Sequence, residues 1–391
     1  MTGKITYLDG LRGIAAINVM IMHFFVALAP AMVYGDKYPS HFGSLDHIFS
    51  TTPLGLIGAG NFSVCIFFVL SGYVLTRKFF QTKENSIVIS SAARRYLRLF
   101  VPVFAAVMFS YLLASTGLYR YYIETMTFAA GSNYRDYWTF TPGILDAVRQ
   151  AAWNSFFVGG AIPYNPVLWT MSIEFYGSML VFTMALLFGS LRNRWTFYLA
   201  AVLALINFYY LAFIIGMVFA DIFSSKKSIF KTDNRIVLFI ILISGLFLGS
   251  YPISPLAENS VYGFLNNGFF RDPKMTYHII GAGMVMYVLL NSIDLQKVFS
   301  SRVPVFLGKI SYSLYLVHFP VISTFSCALF LLLYPVFSYV QAVLISFVLS
   351  LLLIIPLSYL FYKYIDVAGV KLSKEFYSRL SRPLIPTVQD T

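Results

Sequence analysis

The chain has 391 residues, 58% hydrophobic and 11% charged, with a formal net charge of +12. An average soluble domain carries roughly 25% charged residues, so this composition excludes a globule dissolved in water, and the apolar residues run in long blocks instead of amphipathic periods. No basic patch with interleaved aromatics sits on a soluble module, which removes nucleic acid as a partner, and the alternating ~10-residue segments of a porin-like barrel are absent.

Runs approaching ~20 apolar residues match the thickness of a bilayer core. The fold expected is an all-α, polytopic transmembrane helical bundle of about ten spans with both termini cytosolic. The first span, 11–33, contains Ala27-Leu28-Ala29, which resembles a signal-peptidase site. Pro30 would follow the cut, where proline is poorly tolerated, and His23 interrupts the apolar run, so the segment reads as a retained span. Arg12 lies at its cytosolic mouth and His23 near mid-membrane. At ~100° per residue both side chains fall on one face, ~16 Å apart along the axis. That is comparable to an extended pantetheine arm, with arginine holding phosphate and histidine meeting a thioester. A snorkelling anchor and a helix-packing histidine are the structural alternative.

In the following loop His41, Asp46 and His47 cluster without the spacing of a metal site, and no metal is expected. The second span, 56–76, carries Phe67-Phe68-Val69-Leu70-Ser71-Gly72-Tyr73. Ser71 and Gly72 form a small, polar break that allows close helix packing or the passage of a donor between helices. Cys65, and Cys327 further on, are too few for a disulfide framework and read as small buried side chains. Arg95 and Arg98 share a face at the start of the third span, 97–117. Paired guanidinium groups suit a phosphorylated ligand; interfacial anchoring is the alternative, and it is the reading for Arg94. Within the long connection 118–166, the stretch 144–162 is apolar but holds Asp146, Arg149 and Gln150, as an interfacial or re-entrant helix would.

The fourth span, 167–189, opens with Trp169-Thr170-Met171-Ser172-Ile173-Glu174-Phe175-Tyr176, and an intramembrane carboxylate such as Glu174 needs a partner. Residues 196–223 are long for one span and short for two. Arg192 and Arg194 precede them, and Lys226, Lys227 and Lys231 follow. With both flanks cytosolic, two short tilted helices, 196–207 and 208–223, are expected to turn near Asn207. Further spans fall at 236–251, 277–293, 305–333 and 338–361. In the ninth, Ser311, Tyr315 and His318 follow i, i+4, i+7 spacing and make a polar stripe, satisfied by interhelical hydrogen bonds or by a ligand. From Tyr362, with Lys363, Lys371, Lys374, Arg379 and Arg382, a cytosolic tail on the anionic leaflet is expected, giving a membrane domain 1–366 and a tail 367–391.

The positive-inside rule supports this orientation, because only Lys37, Arg120, Arg135, Arg149, Arg271 and Lys274 of the 28 Lys and Arg fall outside. Counted by helical rise from the cytosolic edge, His23 lies ~18 Å deep, Glu174 ~20 Å and His318 ~18 Å. Three titratable groups from three separated helices at one depth predict a shared polar chamber.

Together these segments resemble acyltransferase family 3, integral membrane proteins that O-acylate surface glycans, lipids and small molecules. The resemblance rests on Leu8-Asp9-Gly10-Leu11-Arg12-Gly13-Ile14-Ala15-Ala16 with His23, on Phe67-Phe68-x-x-Ser71-Gly72-Tyr73, and on Arg95-x-x-Arg98. It continues through Trp169 to Tyr176 and through Gly308-x-x-Ser311-Tyr312-x-x-Tyr315-Leu316-x-His318. It implies ten spans in the plasma (inner) membrane, a cytosolic acyl-CoA donor (most often acetyl-CoA) and a hydroxyl-bearing acceptor, such as a glycan or glycolipid, on the far side. It also implies the first-span histidine, His23, as catalytic, with the arginines helping to bind the donor. The mechanism expected here adds Glu174 as a catalytic partner that orients His23 or stabilises its charged form, Ser71 and Gly72 along the donor arm whose phosphates Arg12, Arg95 and Arg98 hold, and Trp169, Tyr315 and His318 at the acceptor. The sequence departs from the family at Asp366-Val367-Ala368, where an acidic-x-Pro turn is common. A transporter without covalent chemistry is the competing class, since intramembrane His, Glu and Arg also line proton-coupled pathways.

Overall fold

In lipid every backbone N–H and C=O must find its partner within the segment, so long apolar runs become helices. The computed structural model describes residues 5–131, 137–160, 163–224, 230–266 and 268–381, and among them there is no strand. The helices that place the site are α1 (Thr6–Leu28), α2 (Gly60–Thr82), α3 (Asn85–Ser115), α4 (Arg120–Ala129), α5 (Trp169–Phe188), α6 (Arg194–Leu205) and α7 (Tyr210–Ser224). They continue with α8 (Arg235–Gly249), α9 (Pro273–Asn291), α10 (Ile293–Phe299), α11 (Arg302–Val321), α12 (Tyr339–Phe361) and α13 (Val367–Leu380).

Side chains fix several of the starts. Asn234 accepts from the backbone N–H groups of Ile236 and Val237 to open α8, and Asp272 accepts from that of Met275 ahead of Pro273 at the first position of α9. Ser338 and Gln341 form a reciprocal capping box at α12.

Each predicted span overlaps a helix, but among the described residues six helices have the length and apolarity to cross a membrane. The shorter apolar helices α6, α7 and α8 are roughly 18–23 Å long at the standard rise, below the ~30 Å of a bilayer core, and α9 meets α10 at a bend of 102°. Helix ends also differ from expectation. α1 begins at Thr6 and not 11, and α3 begins at Asn85 and not 97, so Arg12, Arg95 and Arg98 lie well inside their helices. The α6–α7 turn does fall around Asn207, whose side chain accepts from the backbone N–H of Arg271 (3.2 Å). At the other end of this hairpin Arg194 donates to Asp221 (2.5 Å). Lys226, Lys227, Arg135, Arg382 and the rest of the tail beyond 381 lie outside the described residues.

α1 and α11 pack backbone to backbone. A Cβ on Gly13 would strike the carbonyl oxygen of Pro304 at 2.6 Å, and one on Gly308 would strike the backbone of Asp9. Small residues let the two backbones touch. The helices run parallel, so the register set at Gly13 and Gly308 carries ~15 Å along both to His23 and His318. The segment expected as a tail is, where described, α13. It follows α12 through a π-helical turn at Tyr362–Asp366, and its Gly369 packs against Val101 and Pro102 of α3.

Candidate active site

A cavity of about 820 Å³ opens between α1, α2, α3, α5, α11 and α13. Arg12, Arg95, Arg98, Lys309, Lys371 and Lys374 line it, opposed by the carboxylates of Asp9, Glu174 and Asp366. Six cationic side chains against three carboxylates give the cavity a positive field. Arg12 lies 3.5 Å from Asp9. Arg98 donates to Asp366 at 2.5 Å, and its guanidinium stands 5.6 Å from the centre of the Tyr312 ring. Deeper in, Arg95 donates to Glu174 and, through Nε, to the Ser178 hydroxyl (2.8 Å), while Ser71 donates to the same Glu174 oxygen at 2.7 Å. A buried guanidinium is tolerable only when neutralised and hydrogen-bonded, and this partnership leaves the Arg95 and Glu174 side chains each 13% exposed.

Beyond the floor of this cavity His23 and His318 meet directly. Nε2 of His318 lies 3.0 Å from Nδ1 of His23, with ring centroids 4.9 Å apart. Each ring also turns its Nδ1 to the carbonyl one helical turn back, His23 to Val19 at 3.0 Å and His318 to Leu314 at 2.9 Å. His318 is 0% exposed, whereas His23 keeps accessible surface. Tyr315, which lines the cavity, has its ring centre 6.0 Å from that of His318. Its hydroxyl donates to the Val167 carbonyl (2.6 Å) and pairs with Thr170 (2.8 Å).

A second cavity of about 490 Å³ lies past the histidines and is faced by Tyr34, Tyr38, Tyr122 and Tyr137, with Val26 of α1 and Lys37. Phe319 stands between. Its ring centre is 4.9 Å from that of His23 and 5.7 Å from that of Tyr137. No described residue lines both cavities.

The predicted site residues therefore divide. Arg12, Ser71, Arg95, Arg98, Glu174 and Tyr315 share the first cavity, and His23 and His318 pair below it. Glu174, expected to orient His23, is held by Ser71 and Arg95, while the side chain that bonds His23 is His318. Gly72, expected beside Ser71 on the donor path, faces the other way, with the Phe213 backbone of α7 occupying the space of a side chain. Trp169 packs on Tyr209, ring centres 5.4 Å apart. That tyrosine belongs to a second polar knot in which Asn61 donates to its hydroxyl and lies 2.9 Å from Nδ1 of His278. His278, Ser178, Phe319 and the lysines of α13 were missed. His278 alone carried a signal, a histidine within the predicted span 277–293. Asp46 accepts from Ser40 (2.8 Å) and from the backbone N–H groups of His41 and Phe42, and His41 stacks on Tyr339. Their clustering organises a loop.

A bundle of apolar helices enclosing two cavities, with His318 buried and His23 half-buried between them, has the make-up of a polytopic membrane protein. The chain belongs to acyltransferase family 3, whose model, described as an acyltransferase domain, matches residues 5–363. It is similar to O-acetyltransferase PaAT-1 of Phomopsis amygdali, 28% identical over 98% of this chain and 86% of the relative. It is also similar to acyltransferase R4 of a Phoma species (25%, covering 83% and 84%) and to acyltransferase clz18 of Cochliobolus lunatus (26%, covering 83% and 84%). No solved structure matches it significantly.

Proposed function

We propose that this membrane acyltransferase moves an acyl group, acetyl above all, from cytosolic acyl-CoA to a hydroxyl of a glycan, lipid or related acceptor that enters from the opposite face of the plasma membrane. The observation that carries the reading is the half-buried His23, set between a cation-lined cavity and a tyrosine-lined one. The first cavity suits the phosphates of coenzyme A, with Arg12, Arg95 and Arg98 as ligands and the thioester end directed past Ser71 and Tyr315. The planar faces of the tyrosines in the second suit an alcohol with an apolar side, such as a sugar ring. The similarity to PaAT-1, an O-acetyltransferase, supports transfer of acetyl to oxygen.

In the reaction, Nε2 of His23 removes the proton of the acceptor hydroxyl as its oxygen attacks the thioester carbonyl. The C–S bond breaks, an ester C–O bond forms, and the proton passes from His23 to the departing thiolate. In this reading the chain crosses ten times with both ends cytosolic, the thioester entering from the cytosol and the acceptor from the far side. The test is turnover of labelled acetyl-CoA by purified protein. His23→Ala is expected to lower transfer at least ~10³-fold, within the range of general acid–base catalysis, with membrane abundance unchanged. Retained activity would remove His23 from the centre. Uptake of intact acetyl-CoA into vesicles, with no loss of the acyl group, would instead establish the transporter.

A further inference from the structure

We infer that His318 is a positioning residue that fixes the tautomer and aim of His23, and is not an acceptor-binding group. The inference rests on the reading of His23 as the base. It follows from three contacts. The Leu314 carbonyl has only lone pairs, so the nitrogen turned to it, Nδ1 of His318, must carry hydrogen. The Nε2 of His318 is then a bare acceptor, and it points at Nδ1 of His23 from 3.0 Å. Nδ1 of His23 also faces the Val19 carbonyl at 3.0 Å, so it too carries hydrogen and donates to both acceptors. The reverse assignment would set two ring lone pairs against two carbonyl lone pairs.

One nitrogen remains. Nε2 of His23 keeps its lone pair and is the atom left to take the acceptor's proton. When it does, the ring becomes an imidazolium whose Nδ1–H stays where it was, donated to His318 and Val19. No proton has to leave, and the positive charge forms against a ready acceptor. Burial agrees with the division of labour: His318 is 0% exposed and stands behind the reachable ring. The glycine contact of α1 and α11 sets the axial register of the pair.

The test uses the full chain in nanodiscs with ¹⁵N-labelled histidine, His23 and His318 being assigned by His23→Ala and His318→Leu. A ¹⁵N–¹⁵N coupling across the shared hydrogen, with His23 Nδ1 as the protonated partner, is expected. Protonation on His318 Nε2 instead, or no coupling, would overturn the inference. Kinetically, His318→Leu is expected to lower kcat about 10²-fold while KM for acetyl-CoA and for the acceptor stays within about 2-fold. His318→Gln, whose amide oxygen restores an acceptor, should recover most of the loss. A raised acceptor KM at unchanged kcat would return His318 to substrate binding. Activity surviving His23→Ala sinks the base reading itself, whereas an inactive His23→Ala beside an unimpaired His318→Leu sinks only this inference. Should His318→Leu fail to accumulate, the coupling in the unmodified chain still decides.

Discussion

Glu174 and Arg95 show how a costly side chain is kept inside a membrane protein. Removing one partner of a buried ion pair leaves an uncompensated charge, at a cost of about 3–5 kcal/mol. Glu174→Ala is therefore expected to lower the thermal midpoint in detergent by several degrees, and to weaken donor binding because Arg95 loses its anchor. Ser71→Ala removes one hydrogen bond to a charged acceptor, about 1.5–3 kcal/mol, and should fall between Glu174→Ala and the unaltered chain in the same melting series. The requirement for a partner was legible in the sequence, since a carboxylate inside a span demands one. The partner's identity was not, because Arg95 and Glu174 stand 79 positions apart and a run of arginines before an apolar block reads as an interfacial anchor. Depth counting brought His23 and His318 together correctly, yet it could not tell which way the side chains on α5 point, so Glu174 was assigned to the wrong neighbour.

Between elements, the decisive contact is α1 against α11. Gly308→Val would drive its side chain into the Asp9 backbone, so the helices must part or slide, and a shift of even ~1 Å at a reacting centre costs on the order of 10²-fold in rate. The expected result is loss of kcat with acetyl-CoA binding retained, measured as turnover against equilibrium binding of labelled donor. Gly13 and Gly308 were legible as parts of motifs but not as a mutual contact, since helix pairing cannot be read from one sequence. The start of α3 was missed for a related reason. Hydropathy cannot see that Arg95 and Arg98 meet carboxylates, so it began the span at 97, between the two arginines, and missed the helical turns before them. At the other end of the chain, Asp366-Val367-Ala368 lacks the proline that would stop a helix, and the helical path from Tyr339 to Leu380 carries Lys371 and Lys374 to the rim of the donor cavity. Lys371→Ala with Lys374→Ala is expected to raise KM for acetyl-CoA about 5-fold at constant kcat, as two exposed ion pairs of up to about 1 kcal/mol each allow.

For the molecule as a whole, composition and the length of the apolar runs identified a membrane bundle and its apolar segments. Length was harder, because helices such as α6 and α7 are too short to match an unperturbed bilayer core. Sidedness can be tested directly. The native thiols Cys65 and Cys327 are both 0% exposed, so Lys37→Cys and Ser381→Cys should be labelled by an impermeant maleimide from opposite faces of sealed vesicles. Labelling of both from one face would overturn the proposed arrangement. The separation of the two cavities has a further consequence for the cell. A continuous water file through the protein would short-circuit the ion gradients that the membrane maintains, whereas under the proposed transfer a plug of imidazole and phenyl rings would let an acyl unit cross without an accompanying current. Vesicles carrying the working enzyme should hold an imposed pH difference throughout turnover, as a trapped fluorescent dye would report.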